Sequence, residues 1–254
     1  MPKTLSVVLI THNEAVNLPR TLASVRWAQE IVVVDCGSTD ATIEIAREAG
    51  ARVFEEPWKG FGAQKNSAID HATGDWILSL DADEEIGPEL AGEIEALLAG
   101  EPEFAVYEIS RLNHFLGRPL RHGGYWPDVK LRLFRRGAAR FEERAVHETL
   151  KAEGVIGQLK HPLIHRCYAT LEEYIEHMNR YSTLGAEMLV ASGRGSGSLA
   201  WNAVVNPAAT FVYNYFFRMG FLDGREGLLQ HMNHSVYVHW KFAKAWRMAR
   251  GKSS

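Results

Sequence analysis

Short apolar runs alternate with segments of helical period through the first hundred residues. No other feature restricts the fold so much. Runs at 5–10 (LSVVLI), 31–34 (IVVV), 52–55 (RVFE) and 76–80 (WILSL) predict strands. Leu18, Leu22 and Val25 recur at helical spacing between the first two. A second helix is expected after Ser38 or Asp40, either of which can cap it, with Gly50 closing it. Residues 63–72 read as a helix that stops at Gly74, and Pro88 opens another with Leu90, Ile94, Leu97 and Leu98 on one face. Short apolar strands separated by helices imply an α/β chain with a mostly parallel sheet covered on both sides. Ligands of such sheets lie beyond the carboxyl ends of the strands. Four polar clusters fall there: 11–14, 35–40, the loop before Lys65, and 81–84.

A length of 254 residues with 46% apolar side chains is enough for one large domain, or a domain with an extension. Cys36 and Cys167 are too few for a disulfide framework, which favours a reducing compartment. The first residues run straight into a strand, so no signal peptide and a cytoplasmic location are expected. A net charge of −3 argues against a nucleic-acid partner. The charge is uneven, however. From residue 200 onward Arg218, Arg225, Lys241, Lys244, Arg247, Arg250 and Lys252 face only Asp223 and Glu226, leaving +5 there and −8 before it. A basic, aromatic tail on an acidic body suggests contact with an anionic surface.

Residues 103–165 are less regular, with strands expected at 104–109 and 129–134. A helix is expected over 169–190, a flexible linker over 193–198, and helical segments over 199–217 and 224–250. The segment 199–217 has no charge, but Asn202, Asn206, Pro207 and Asn214 would be costly inside hydrocarbon. Two readings stay open for it. One is an interfacial helix with Trp201, Phe211, Tyr213, Tyr215, Phe216 and Phe217 at a headgroup boundary. The other is an amphipathic helix docked on the main domain or on another subunit.

The chemistry sits in the four clusters. Asp81 and Asp83 are two apart at a strand end, which would send both side chains to one face and suit a hard divalent cation with substrate phosphates. The plainer alternative is a solvated acidic turn. Asp35 can accept from a nucleobase N–H or ribose hydroxyls, and Thr11, Asn13 and Glu14 offer polar groups beside it. Lys59, Gln64 and Lys65 surround Gly60-Phe61-Gly62, a pattern that suits a diphosphate near a helix start but is weak alone. Tyr125 and Trp126 can stack on a sugar. His161, His165 and Cys167 lie close in sequence, yet a zinc site needs more ligands. An aspartyl-phosphate phosphatase also uses D-x-D after a strand, but on its first strand rather than the fourth.

In order, LSVVLITHNEAVNLPRTLASV, IVVVDCGSTDAT and GFGAQKNSAIDHATGDWILSLDADE resemble the inverting glycosyltransferases of family 2. The resemblance implies the GT-A fold, Rossmann-like with a mostly parallel sheet flanked by helices, over residues 1–168. A helical C-terminal extension would occupy 169–254. It places Thr11, Asn13, Glu14, Asp35, Lys65 and Asp81 around the nucleotide-sugar. Asp83 would ligate Mg²⁺ or Mn²⁺, with His147 a further ligand or an orienting group. Glu148 would be the catalytic base and Asp128 the second candidate. Cys36 departs from the family, many of whose members have a second Asp there, which puts base recognition in doubt. The later segments YWPDVKLRLFRR, FEERAVHETL, LKHPLIHRCYATLEEYIEHMNRYST and GFLDGREGL are similar to bacterial lipopolysaccharide core glucosyltransferases. They imply a UDP-sugar donor, a lipid-linked saccharide acceptor and peripheral contact with the cytoplasmic face of the inner membrane. A polyprenyl-phosphate sugar transferase and a non-catalytic nucleotide- or saccharide-binding subunit are the alternatives, and an oligomer is compatible with the sequence.

Overall fold

The computed structural model describes residues 3–142, 149–168, 170–193 and 195–251. The chain divides into two compact units. The first comprises 3–111 with 128–165, and the second 112–127 with 166–251. Residues 112–127 therefore belong with the C-terminal helices, which a contiguous division at 168/169 does not capture.

The first unit begins with β1 (Leu5–Thr11), α1 (Leu18–Ser24), β2 (Glu30–Asp35), α2 (Thr42–Glu48) and β3 (Arg52–Glu55). Then come α3 (Phe61–His71), β4 (Trp76–Leu80), β5 (Glu84–Ile86) and α4 (Pro88–Ala99). The remaining strands follow: β6 (Val106–Phe115), β7 (Arg118–Pro119), β8 (Asp128–Arg135), β9 (Ala139–Phe141), β10 (Leu150–Ala152), β11 (Gly157–Gln158) and β12 (Leu163–Tyr168). The main sheet runs β3-β2-β1-β4-β8-β6-β12-β5, with β7 and β11 also on β6, while β9 and β10 form a separate pair. Strands β3, β2, β1 and β4 are mutually parallel, and β8 joins β4 antiparallel. Chain order reverses at β1, so the crevice expected of such sheets opens at the carboxyl ends of β1 and β4.

The period of two in β1 sorts its side chains between two cores. Leu5, Val7 and Leu9 pack with Leu18, Leu22, Leu90, Ile94 and Leu98 of α1 and α4. Val8 points the other way, with Val32, Val34 and Ile77, onto Ala68 and Ile69 of α3. Both faces of the parallel strands are thus covered, which is why these strands read as unbroken apolar runs.

One half-buried carboxylate ties the opposite end of this sheet. Glu30 accepts from the Ser6 hydroxyl, the Thr73 amide and hydroxyl, and the Arg52 guanidinium. Burial would raise its pKa, but the bonds from Ser6, Thr73 and Arg52 outweigh burial and hold it at about 2. An acid with a depressed folded pKa contributes stability that is complete above its unfolded value and lost as pH falls through the folded one. The shift from 4.5 to about 2 corresponds to roughly 3 kcal/mol. Glu30→Gln is therefore expected to be destabilised by about that much at pH 7 and to lose less stability than wild type between pH 4.5 and 2. Urea midpoints across that window check it, and parallel wild-type and variant curves would refute it.

The second unit is helical: α5 (Leu171–Ala191), α6 (Ser196–Val212), a π-helical turn (Tyr213–Phe217), a 3₁₀ turn (Gly220–Asp223) and α7 (Gly224–Gly251). Thr170 caps α5 through a reciprocal box with Glu173. α6 starts at Ser196, so the expected linker over 193–198 is shorter than its Gly/Ser composition suggests. Pro207 lies inside α6 and has no N–H to give the Ala203 carbonyl. His239 of α7 supplies the missing donor, its Nδ1 2.8 Å from that oxygen. The segment 112–127 is tied on by Asp223, which accepts from the amides of Arg121 and His122 and from the His122 ring. Gly123 and Gly220 both abut the His231 ring, and a Cβ on either would lie within 2.2 Å of Nε2. No described helix is long and apolar enough to cross a membrane.

Candidate active site

Strand register brings Thr11 beside Asp35 at the carboxyl ends of β1 and β2. The Thr11 hydroxyl donates to Asp35 Oδ2 at 2.8 Å, and the Ser38 hydroxyl to the same oxygen at 2.5 Å. Oδ1 accepts from the amides of Gly37 (2.9 Å) and Ser38 (2.8 Å). Burial opposes the charged form, but the Ser38, Thr11 and Gly37 bonds outweigh it and lower the pKa. A carboxylate has about four acceptor positions, and all are used here. Asp35 shapes the loop, and a nucleobase N–H would have to displace one of these donors.

Asn13 has a left-handed backbone, φ 57°. Asn tolerates that conformation better than most residues. Its backbone amide donates to the Ser38 hydroxyl, and its Oδ1 accepts from the Thr39 amide at 2.8 Å, bracing the two loops together. The Glu14 amide donates to the Thr42 hydroxyl. The Glu14 carboxyl is pushed up by burial and by the charges of Asp83, Asp40 and Asp81, against a bond from Asn17.

β4 ends at Leu80, so Asp81 and Asp83 leave from a turn and not from one face of a strand as the sequence predicts. The turn sends them to different partners. Asp81 bonds Lys65 Nζ at 2.8 Å and Arg132 at 2.7 Å. These two cations hold its carboxyl well below the ordinary range against the cost of burial. Arg132 also reaches Glu84 at 2.5 Å, and Glu84 meets Arg111 at 3.3 Å. Asp128 closes the chain, accepting from Arg111 at 2.8 Å and from Lys130 at 2.9 Å. Burial raises its pKa, but Lys130 and Arg111 together lower it. Asp83, about 30% exposed, faces His165 of β12 at 3.1 Å.

An implied divalent cation fits this donor set. Asp83 and His165 present a carboxylate oxygen and an imidazole nitrogen side by side; the carboxylate suits Mg²⁺ or Mn²⁺, and the imidazole is a softer donor beside it. Among the described residues, no three His, Cys, Asp or Glu side chains gather as a complete cage. Mg²⁺ typically takes one or two carboxylates and completes its shell with water and phosphate.

Arg132, Arg111, Glu84 and His165 were not singled out as site residues by sequence reasoning. A charged residue inside the apolar alternation LRLF was the available signal for Arg132. His165 stood out only beside His161 and Cys167, as a zinc ligand, because the partner it takes, Asp83, lies 82 positions away. Glu148 and His147 lie outside the described residues. Tyr125 and Trp126 do not form an open platform. Tyr125 is bonded to Gln230 within the helical unit, and Trp126 lies under Arg121.

Just before the undescribed stretch, Asn66 of α3 brackets the backbone of Phe141. Its Nδ2 donates to the Phe141 carbonyl at 3.0 Å, and its Oδ1 accepts the Phe141 amide at 2.9 Å. Both residues are buried. Asn66→Ala strands two buried backbone groups and is expected to cost about 2–4 kcal/mol. Asn66→Asp, which sets a buried carboxylate against the Phe141 carbonyl oxygen, should cost at least as much. Denaturant midpoints check the order, and three equal midpoints would refute it.

The sequence model of Glycosyl transferase family 2 matches residues 6–148. The chain belongs to glycosyltransferase family 2. Its α/β sheet and helical C-terminal region are the architecture expected of such a transferase. Among relatives of this family 2 enzyme is the lipopolysaccharide core biosynthesis glycosyltransferase LpsC of Rhizobium meliloti. LpsC is 31% identical over 96% of this chain and 92% of that protein. An uncharacterized glycosyltransferase of Rickettsia felis is 30% identical over 98% and 90%. A crystal structure of glucosyl-3-phosphoglycerate synthase from Mycobacterium tuberculosis, with Mn²⁺, uridine diphosphate and glucosyl-3-phosphoglycerate, matches at 26% identity. It covers 44% of each chain with a TM-score of 0.36, a likeness too partial to bear on this transferase's donor or metal.

Proposed function

We propose that this glycosyltransferase moves a hexose, glucose from UDP-glucose, with inversion onto a lipid-anchored saccharide such as the lipopolysaccharide inner core. Family membership and the near full-length likeness to LpsC support the reading. The observation that carries it is the meeting of Glu14, Asp81 and Asp83 with Lys65, Arg132 and His165 beyond β1 and β4.

Inversion needs one in-line displacement at the anomeric carbon. Thr11, Asn13, Glu14 and Asp35 form the nucleoside end. Asp81 aims Lys65 toward the diphosphate. Asp83 and His165, with His147 as a further ligand, would hold Mg²⁺ or Mn²⁺. When bound, that ion offsets the charge of the departing nucleoside diphosphate. Glu148 takes the proton of the acceptor hydroxyl. Asp128 is the weaker candidate for that step, because Lys130 and Arg111 hold it in its charged form with a lowered pKa. The enzyme would work peripherally on the cytoplasmic face of the inner membrane.

A thermal-shift screen of UDP, GDP, CDP and dTDP sugars, with and without Mn²⁺, tests the donor. A UDP-sugar at a hundred times its Kd stabilises by about 2.7 kcal/mol. The shift is expected only for UDP-sugars and to be larger with Mn²⁺. Radiolabel from the bound donor should then appear in lipopolysaccharide core. Label in polyprenyl phosphate would overturn the acceptor, and binding with neither transfer nor hydrolysis would overturn the enzyme reading.

A further inference from the structure

α6 and α7 form a helical hairpin within the second unit, and its closed end carries more exposed apolar surface than any other stretch of the described chain. Between Val212 and Met232 the exposed side chains include Tyr213, Phe216, Phe217, Phe221, Leu222 and Leu228, with Phe217 77% exposed. Three of these are consecutive or near-consecutive aromatics on the π-helical turn, held by ring contacts that leave their outer faces open. Tyr213 stacks on Phe217, and Phe216 meets Tyr215 edge-on. Surfaces of this kind mark interaction sites.

The charge around the tip selects the occupant. Arg218 and Arg225 are exposed there. The two acids in the same stretch are already engaged, Asp223 with His122 and Glu226 with Arg118. The tip therefore presents aromatic and aliphatic side chains with two cations beside them. A second copy of the same tip would set arginines against arginines. An anionic lipid surface complements both parts. Aromatic rings favour the headgroup boundary, and arginines pair with phosphate. No described helix can span, so the contact is shallow.

We propose that the closed end of the α6–α7 hairpin inserts into the surface of an anionic bilayer. The aromatics of the π-helical turn are the anchor, and Arg218 and Arg225 bind lipid phosphates. This binding stands without the transferase reading. Only its use, bringing the enzyme to a lipid-borne acceptor, rests on that reading.

Co-sedimentation of the full chain with vesicles of phosphatidylcholine alone, or with phosphatidylglycerol added, tests the proposal. Wild type should pellet with the anionic vesicles and weakly with the neutral ones. F216S/F217S should remain in the supernatant with both while still melting cooperatively within a few degrees of wild type, since the ring contacts that it loses are at the surface. R218Q/R225Q should bind anionic vesicles about 25-fold more weakly, at about fivefold per arginine, and lose the preference between compositions. Wild type staying soluble with both vesicles would overturn the proposal, as would F216S/F217S pelleting like wild type. A concentration-dependent dimer that F216S/F217S abolishes, without vesicle binding, would assign the tip to a second copy instead. UDP-sugar binding by the same preparations separates failure here from failure of the proposed reaction.

Discussion

Arg132→Met is expected to lower stability by about 3–5 kcal/mol, the usual cost of removing one partner from a buried ion pair. The Arg132 side chain is 5% exposed and the Glu84 side chain fully buried. Without the guanidinium, among the described residues Glu84 keeps Arg111 at 3.3 Å and the Asp81 amide, and Asp81 keeps Lys65. For a chain of this size each kcal/mol moves Tm by about 2–4 °C, so a fall of roughly 6–20 °C should follow. The charge and not the volume is responsible, because methionine nearly fills the space of the arginine stem. R132M/E84Q should therefore melt above R132M, since neutralising both partners removes the uncompensated charge. A single variant within a degree or two of wild type, or a double variant equal to the sum of its parts, would mean that the network contributes little.

Asp83→Ala is expected to reduce nucleoside diphosphate release by about 10²–10³-fold, the scale of losing one preorganised electrostatic partner of a leaving group. Stability should barely change. Asp83 is partly exposed and, among the described residues, pairs with His165, which β12 holds in register opposite Glu84. The extra thermal shift that Mn²⁺ gives with UDP should vanish in the variant. His165→Ala should weaken the Mn²⁺ effect in the same direction. Undiminished turnover in Asp83→Ala would remove the metal role from this residue. A large fall in Tm would show instead that the carboxylate is structural.

The parallel half of the fold was legible because each of its elements is locally consistent. The apolar runs of β1, β2 and β4 are buried on both faces, and Leu90, Ile94 and Leu98 repeat at helical spacing behind Pro88. The polar strand ends were legible for the same reason, since sheet topology alone places Thr11, Asp35 and Asp81 together. What could not be read depended on distant partners. Whether Asp81 and Asp83 leave a strand or a turn is decided where β4 stops, and nothing in LSLDAD marks that point. Arg132 and His165 acquire their roles only when β8 pairs with β4 and β12 with β5. Residues 112–127 join the helical unit because Asp223, about a hundred positions on, gathers the amides of Arg121 and His122.

The β9–β10 pair has an implication for where this chain tolerates added length. Phe141 is matched to Leu150, and the Glu142 amide bonds the Thr149 carbonyl at 3.0 Å, so the two ends of 143–148 are clamped side by side. Asn66 bolts the same clamp to α3. Chain spliced in between those ends starts and finishes at fixed points, and doubling its length adds only about 0.6 kcal/mol of closure entropy. A change of length between those fixed ends is therefore absorbed locally, while the sheet stays as it is.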